Sequence, residues 1–327
     1  MRRREFISLL GGVAIAWPLA ARAQQPVPVI GFMSGVSRGD SDDTLAAFHR
    51  GLNETGFVEG RNVAIEYRFA NNDATRLPAI AAELVQRRVD IIVTPGSPPA
   101  TFAAKAATGS IPIVFFVSAA DPVGTGLVAS LSRPGGNLTG VTTLGWQLGA
   151  KRLELLHELV PAATRFGVLV NPNGTSADDV IRNVQAGARV LGLDIDVVPA
   201  HVEYDLDVAF ATLHQLQAGG VLVAPDQFLY FQAARIAALA VEHKLPTIFQ
   251  YRRSAEAGAL MSYGGSVIEA WRLVGTYAGR ILKGEKPADL PVHQSTKIEL
   301  ILNMKAARAL GITVPLSLLG RADAVIE

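Results

Sequence analysis

Short apolar segments alternate with longer amphipathic segments along most of the chain, and this alternation predicts strands and helices in turn. The apolar segments are rich in Val, Ile, Leu and Phe, as in Val29–Met33 and Pro112–Val117. They show little of the polar alternation of a half-exposed strand, which is typical of parallel strands covered by helices on both faces. The pattern therefore predicts an α/β protein built on parallel sheets.

The alternation occurs in two series of similar length, separated by the Gly- and Pro-rich segment 132–140. The first series predicts strands at 29–33, 62–69, 90–94 and 112–117, and helices at 42–55, 75–88 and 98–108. The second predicts strands at 165–171, 194–198, 220–224 and 246–249, and helices at 148–159, 177–191, 206–217 and 230–243. Repeated strand–helix units form right-handed crossovers, so each series predicts one Rossmann-like lobe.

The C-terminal part adds strands at 259–263 and 298–302 around a helix at 267–282. We assign 27–143 and 258–290 to lobe 1, and 144–257 and 291–327 to lobe 2.

Lobes built from separate segments require the chain to cross between them more than once. The expected crossings lie near 140–145, 251–258 and 291–297, where glycines and polar residues are frequent. Three crossings form a three-strand hinge, which lets two lobes close a cleft.

The first residues have the features of a signal peptide. Three arginines precede an apolar run, and Ala21-Arg22-Ala23 matches the small-x-small cleavage pattern. We predict a signal peptide over 1–23 that is cleaved after Ala23. Arg3-Arg4-Glu5-Phe6-Ile7 resembles the twin-arginine signal, with a general secretory signal as the alternative. Both routes predict a periplasmic protein.

Composition narrows the class of protein further. The chain has no cysteine, which excludes disulfides, thiolate chemistry and a lipid-modified N-terminal cysteine. Its net charge of +1 provides no basic patch for nucleic acid or anionic lipid. The hydrophobic content is 49%, but no later apolar run has the length of a membrane span. We expect a monomer without stable membrane insertion once the signal is removed.

Motifs for catalysis and for cofactor binding are absent from the sequence. The six histidines are widely separated, and there is no H-E-x-x-H, G-x-S-x-G, phosphate-binding loop or G-x-G-x-x-G sequence. We therefore predict no metal, no cofactor and no enzymatic activity. An extracytoplasmic enzyme on an α/β fold is the alternative, which turnover of a bound ligand would reveal.

Candidate binding residues follow from the predicted sheets, because ligands of parallel α/β proteins bind beyond the carboxyl ends of the strands. The residues at those positions are Ser34, Thr94, Gly96, Ser97, Ser118, Asp121, Asn171, Asp226, Phe249 and Tyr263.

Three of these candidates suggest a ligand class. Ser97 precedes Pro98 as a helix N-cap, and free N–H groups at a helix N-terminus suit a carboxylate. Asp226 suits an ammonium group, and we expect it to be unpaired until the ligand arrives. Tyr263 offers an aromatic surface. The alternatives are ordinary caps at Ser97 and Asp226, and core packing at Tyr263.

Long stretches of the sequence resemble one protein family, the ABC-transporter substrate-binding proteins related to the tryptophan/tyrosine binding protein. The resemblance covers essentially the whole chain after the predicted signal peptide, and its longest motifs are 112–142, 151–172, 258–264, 279–292 and 300–327.

The resemblance implies a type I periplasmic-binding-protein fold with a solute held between the lobes. It also implies an ABC permease and its ATPase as partners, and a ligand carboxylate at Ser97 and its neighbours. The predicted function is delivery of a small solute, an amino acid or related carboxylate, to an ABC importer. A periplasmic sensing module that works with a membrane receptor or kinase is the alternative.

Overall fold

A computed structural model describes residues 27–327 except 72, 119, 144, 175, 176 and 296. The predicted signal peptide, 1–23, lies outside the described residues. The chain forms two α/β lobes, each built on one sheet. Among the residues described, no helix combines the length and the apolar character needed to span a membrane.

Lobe 1 contains a six-stranded sheet in which all strands are parallel. The strands are β1 (Val29–Ser34), β2 (Ala64–Phe69), β3 (Ile91–Pro95), β4 (Ile113–Val117), β5 (Leu138–Thr143) and β11 (His293–Ser295), in the spatial order β11-β5-β4-β3-β1-β2. Its helices are α1 (Asp42–Glu54), α2 (Leu77–Gln86), α3 (Pro98–Ala107) and α10 (Val267–Leu282).

Lobe 2 contains a seven-stranded sheet in which β10 and β12 pair antiparallel and the other strands pair in parallel. The strands are β6 (Arg165–Val170), β7 (Asp194–Pro199), β8 (Val221–Val223), β9 (Thr247–Phe249), β10 (Met261–Gly265), β12 (Ile298–Asn303) and β13 (Ala324–Ile326), in the order β13-β12-β10-β9-β8-β6-β7. Its helices are α4 (Gly149–Leu159), α5 (Ala177–Leu191), α6 (Glu203–Gln215), α7 (Gln227–Phe231), α8 (Ala233–Glu242), α9 (Arg252–Glu256), α11 (Met304–Leu310) and α12 (Leu316–Leu319).

Each sheet has an apolar core on both faces, as the continuous apolar strands predict. In lobe 1, Phe32 and Phe48 lie in the cluster that packs under α1 and α10. Leu84 and Phe115 lie in a second cluster, which packs under α2 and α3. Lobe 2 repeats this arrangement with two clusters of its own. The predicted strands and helices are present, with ends shifted by a few residues and one predicted helix divided into α7 and α8.

Three strands were not predicted. β5 lies where the sequence suggested a turn and a crossing, because its run Leu-Thr-Gly-Val-Thr-Thr looks too polar for a core strand. All six of its residues are nevertheless buried, and the Thr139 hydroxyl donates to the Leu290 carbonyl oxygen at 2.7 Å. β11 and β13 are edge strands of three residues, too short to show a pattern.

The division between the lobes differs from the sequence-based one. β10 pairs with β9 and β12, so it belongs to lobe 2, whereas β11 pairs with β5 in lobe 1. The chain therefore crosses between β5 and α4, between β10 and α10, and between β11 and β12. The predicted crossing at 251–258 is wrong, because this segment contains α9 and stays within lobe 2.

After β10 the chain returns to lobe 1, where α10 packs against α1. Glycines lie at the contact on both helices: a Cβ atom on Gly51 would overlap the carbonyl oxygen of Arg272, and one on Gly275 would overlap that of Phe48. Because both obstacles are backbone atoms, a side chain at either position would force the helices apart.

We expect Gly51→Ala to lower the free energy of unfolding by about 1–3 kcal/mol, since it inserts a methyl group into a filled contact. The control is Gly109→Ala, because nothing lies within 4 Å of the Cβ position there. Urea denaturation monitored by circular dichroism measures both variants. Equal midpoints for the two would show that the helices can separate without cost.

Candidate functional site

A cavity of about 640 Å³ lies between the two lobes, where the carboxyl ends of their parallel strands face each other. Its volume is within the range of sites for small metabolites. Six of the ten sequence-predicted residues line it: Ser34, Gly96, Ser97, Ser118, Asn171 and Asp226. In the part of the chain that the structure describes, no group of three His, Asp or Glu side chains is arranged to hold a metal ion.

The wall from lobe 1 presents buried hydroxyl groups, and those of Ser34 and Ser97 lie near the N-terminus of α3. Ser97 is the N-cap of α3, and its Oγ accepts a hydrogen bond from the Ala100 N–H at 3.4 Å. The next two residues, Pro98 and Pro99, have no N–H group. The expectation of several free N–H donors at this helix end is therefore wrong. The polar groups here are the two hydroxyls, together with the positive end of the helix dipole.

The wall from lobe 2 carries a carboxylate, that of Asp226 at the N-terminus of α7. It accepts hydrogen bonds from the Leu229 N–H at 3.1 Å and from Asn171 Nδ2, which lies 3.2 Å from both of its oxygens. The expectation that Asp226 is unpaired is thus wrong. Its partners are all neutral, however, and it forms no ion pair with the described cationic side chains.

Aromatic side chains form much of the remaining surface: Phe116, Phe228, Tyr230, Phe231, Tyr251 and Trp271. Trp271, on α10, is only 5% exposed, and its indole lies 3.7 Å from the position that a Cβ on Gly96 would occupy. Tyr230 packs edge-on against Tyr251, with ring centroids 5.3 Å apart. Sequence reasoning missed Trp271, Tyr230 and Tyr251. Trp271 comes from a helix rather than a strand end, so only the tertiary fold reveals its place.

The two lobes are in contact across the cavity. The hydroxyl groups of Ser118 in lobe 1 and Tyr251 in lobe 2 form a hydrogen bond. Burial raises the pKa of Tyr251 well above its ordinary value, so this hydroxyl stays protonated at neutral pH. A Cβ on Gly35 would lie 3.1 Å from Oε1 of Gln227, a lobe 2 residue. These contacts give the lobes a closed arrangement.

Four predicted residues lie away from the cavity. The Thr94 hydroxyl is hydrogen bonded to that of Thr101 at 2.9 Å, and Asp121 accepts from the Val123 N–H at 2.9 Å. Phe249 is part of one core cluster of lobe 2, and Tyr263 packs against the other. Residues at strand ends alternate in direction, and the linear pattern does not show which of them point toward the cleft.

Comparison with known sequences identifies a related family and a related protein. A family model described as "ABC transporter substrate binding protein" matches residues 27–326. A tyrosine-binding protein of Clostridioides difficile (strain R20291) is 29% identical over 282 residues, which cover 86% of this chain and 80% of that protein.

Comparison with solved structures confirms the predicted two-lobed fold. The ABC domain of Streptococcus pneumoniae in complex with L-Trp has a TM-score of 0.82 and 26% identity, covering 91% of this chain and 99% of that one. A ligand-free, open substrate-binding protein with adhesive properties from Clostridium difficile has a TM-score of 0.68 and 27% identity, covering 92% and 99%. At nearly equal identity, the present structure is more similar to the complex.

Proposed function

Because this chain belongs to the family of ABC transporter substrate-binding proteins, we propose that it binds an aromatic amino acid between its lobes and delivers it to an ABC importer. The observation that carries the proposal is the composition of the cavity. One lobe contributes hydroxyl donors, the other a carboxylate with neutral partners only, and aromatic rings lie between them.

The charged groups of an amino acid fit opposite walls. The Ser34 and Ser97 hydroxyls can donate to a carboxylate near the N-terminus of α3, where the helix dipole favours negative charge. Asp226 can accept from an ammonium group, which would supply the cationic partner that the described residues do not. A ligand bound in this way joins the two lobes and so favours their closure.

An aromatic side chain suits the rest of the cavity. Trp271 and Phe116 present apolar rings from lobe 1, and Tyr230 presents one from lobe 2. Ring contacts of this kind contribute about 0.5–1.5 kcal/mol beyond the burial of area. The tyrosine-binding protein of Clostridioides difficile and the L-Trp complex from Streptococcus pneumoniae support the same ligand class.

We expect Asp226→Asn to weaken the binding of L-tyrosine or L-tryptophan by roughly 30-fold to several-thousand-fold. Removing one partner of a desolvated charged pair typically costs about 2–5 kcal/mol. Asparagine is also a good N-cap, so α7 should stay intact. Isothermal titration calorimetry measures the affinities.

Two controls isolate the charge. Asp121→Asn alters a carboxylate outside the cavity and should bind as the native protein does. The des-amino analogue of L-tyrosine should bind Asp226→Asn no more weakly than the native protein, since it has no ammonium group. Native affinity of Asp226→Asn for L-tyrosine would refute the proposed contact.

The proposal includes a periplasmic location, reached through the predicted signal peptide. Arg3, Arg4, Phe6 and Ile7 match the twin-arginine pattern, which supports export of the folded protein. Membership of this family and a periplasmic location support an ABC permease and its ATPase as the partners.

Replacing both Arg3 and Arg4 with lysine should leave the uncleaved precursor in the cytoplasm, because the translocase reads the arginine pair. Cell fractionation with immunoblotting measures the distribution, and Arg2→Lys, which keeps the pair, is the matched control. Export that continues in a strain without the twin-arginine translocase would exclude this route.

A further inference from the structure

We propose that the buried amide of Gln250, at the hinge, favours the open arrangement of the lobes and thereby sets the affinity for the ligand. The inference rests on the proposed function, in which the lobes close on a solute. It assigns to Gln250 a role in positioning the lobes rather than in touching the ligand.

Gln250 lies where two of the three crossings meet. It follows β9 directly, is 3% exposed, and packs against Gly145 in the first crossing and Gly264 beside the second. A Cβ atom on either glycine would overlap Gln250. Thr143, at the end of β5, is buried beside Gly265 in the same region.

Arg152 fixes the geometry around Gln250. This residue of α4 is fully buried, and its guanidinium donates to the carbonyl oxygens of Gly145 and of Tyr263, the latter at 3.1 Å. Burial without an acidic partner lowers the pKa of Arg152 to about 10, so it stays charged at neutral pH. Because these bonds tie the first crossing to β10, the backbone facing Gln250 has little freedom to turn toward its amide.

The closed arrangement leaves the amide of Gln250 without a hydrogen bond. Neither Oε1 nor Nε2 has a partner among the described residues, and the same holds for Thr143 Oγ1. A buried polar group without a partner is strongly unfavourable compared with the same group in water. The carbonyl oxygen of Ser118, in lobe 1, also lies beside Gly145, 2.6 Å from the position that a Cβ there would occupy. Rotation of the lobes would move Ser118 away from Gln250 and admit water to the amide.

The energetic consequence is a bias toward the open arrangement. The usual penalty for one buried unpaired group corresponds to a factor of roughly 5 to 100 in the open–closed equilibrium. The apparent dissociation constant for the ligand rises as the closed fraction of the protein falls. Contacts with the ligand must therefore supply the free energy that closes the lobes.

Thr247 offers a matched control because it too has a buried polar group without a hydrogen bond in the described part of the chain, but at a site away from the hinge. Its hydroxyl is fully buried and unpartnered among the described residues, but it lies at the start of β9, inside lobe 2. Rotation of the lobes does not expose it. Thr247→Val therefore removes a buried unpaired group without affecting the hinge.

The test compares Gln250→Met with Thr247→Val in the absence of any ligand. Because the chain has no cysteine, spin labels can be attached at Ala79→Cys in lobe 1 and Glu203→Cys in lobe 2, both exposed positions. Pulsed electron–electron double resonance then gives the distribution of distances between the two labels, and so between the lobes. We expect Gln250→Met to raise the closed-to-open ratio at least about fivefold, and Thr247→Val to leave it unchanged.

Titration with L-tyrosine provides a second readout, in which Gln250→Met should bind more tightly than the native protein. If L-tyrosine binds neither protein, the proposed ligand is wrong, while the ligand-free distances still decide the role of Gln250. Should Gln250→Met fail to fold, Gln250→Leu takes its place. An unchanged ratio in the folded variant, or an equal shift in Thr247→Val, would overturn the inference.

Discussion

The close packing of α10 against α1 is the contact on which the two-lobed architecture depends. Glycines at the contact let the backbones approach, and α10 is thereby held in lobe 1 although β10, which precedes it, belongs to lobe 2. The chain must then cross between the lobes three times instead of once. A connection of three strands restricts the lobes to a hinge-like rotation, and such a rotation opens and closes a cleft.

The same helix joins the architecture to the binding site. Along one face of α10, Gly275 lies against α1 and Trp271, one turn earlier, lines the cavity beside Gly96. The polar groups come instead from strand ends: Ser97 follows β3, and Asp226 follows β8. Because these two residues belong to different lobes, a zwitterion of the right length can contact both only when the cleft is closed. In this account, recognition of the ligand and closure of the lobes are therefore the same event.

The sequence pattern was sufficient to predict the elements that are buried and mainly apolar. Apolar runs such as β1 and β4 are recognisable as core strands, and most helices show clear periodicity. β5 was not recognisable because its polar composition hides its burial, which a tertiary hydrogen bond from the Thr139 hydroxyl helps to stabilise. The position of β10 depends on pairing with β12, a contact that local pattern does not contain.

The candidate site was predictable to a similar degree. The rule that ligands bind beyond strand ends located both Ser97 and Asp226, but it also selected Phe249 and Tyr263, which pack against the cores of lobe 2. The direction of a side chain at a strand end depends on register and on local bends, which the linear pattern does not determine. Trp271 was missed for a related reason, since its importance arises from a tertiary contact.

The most direct test of the central claim is a crystal structure of the protein with L-tyrosine. The account predicts a ligand in the cleft, with its carboxylate hydrogen bonded to Ser97, its ammonium group about 3 Å from an oxygen of Asp226, and its ring against Trp271. A ligand held by one lobe alone, or one whose ammonium group does not contact Asp226, would contradict the claim that the ligand joins the lobes through these two walls.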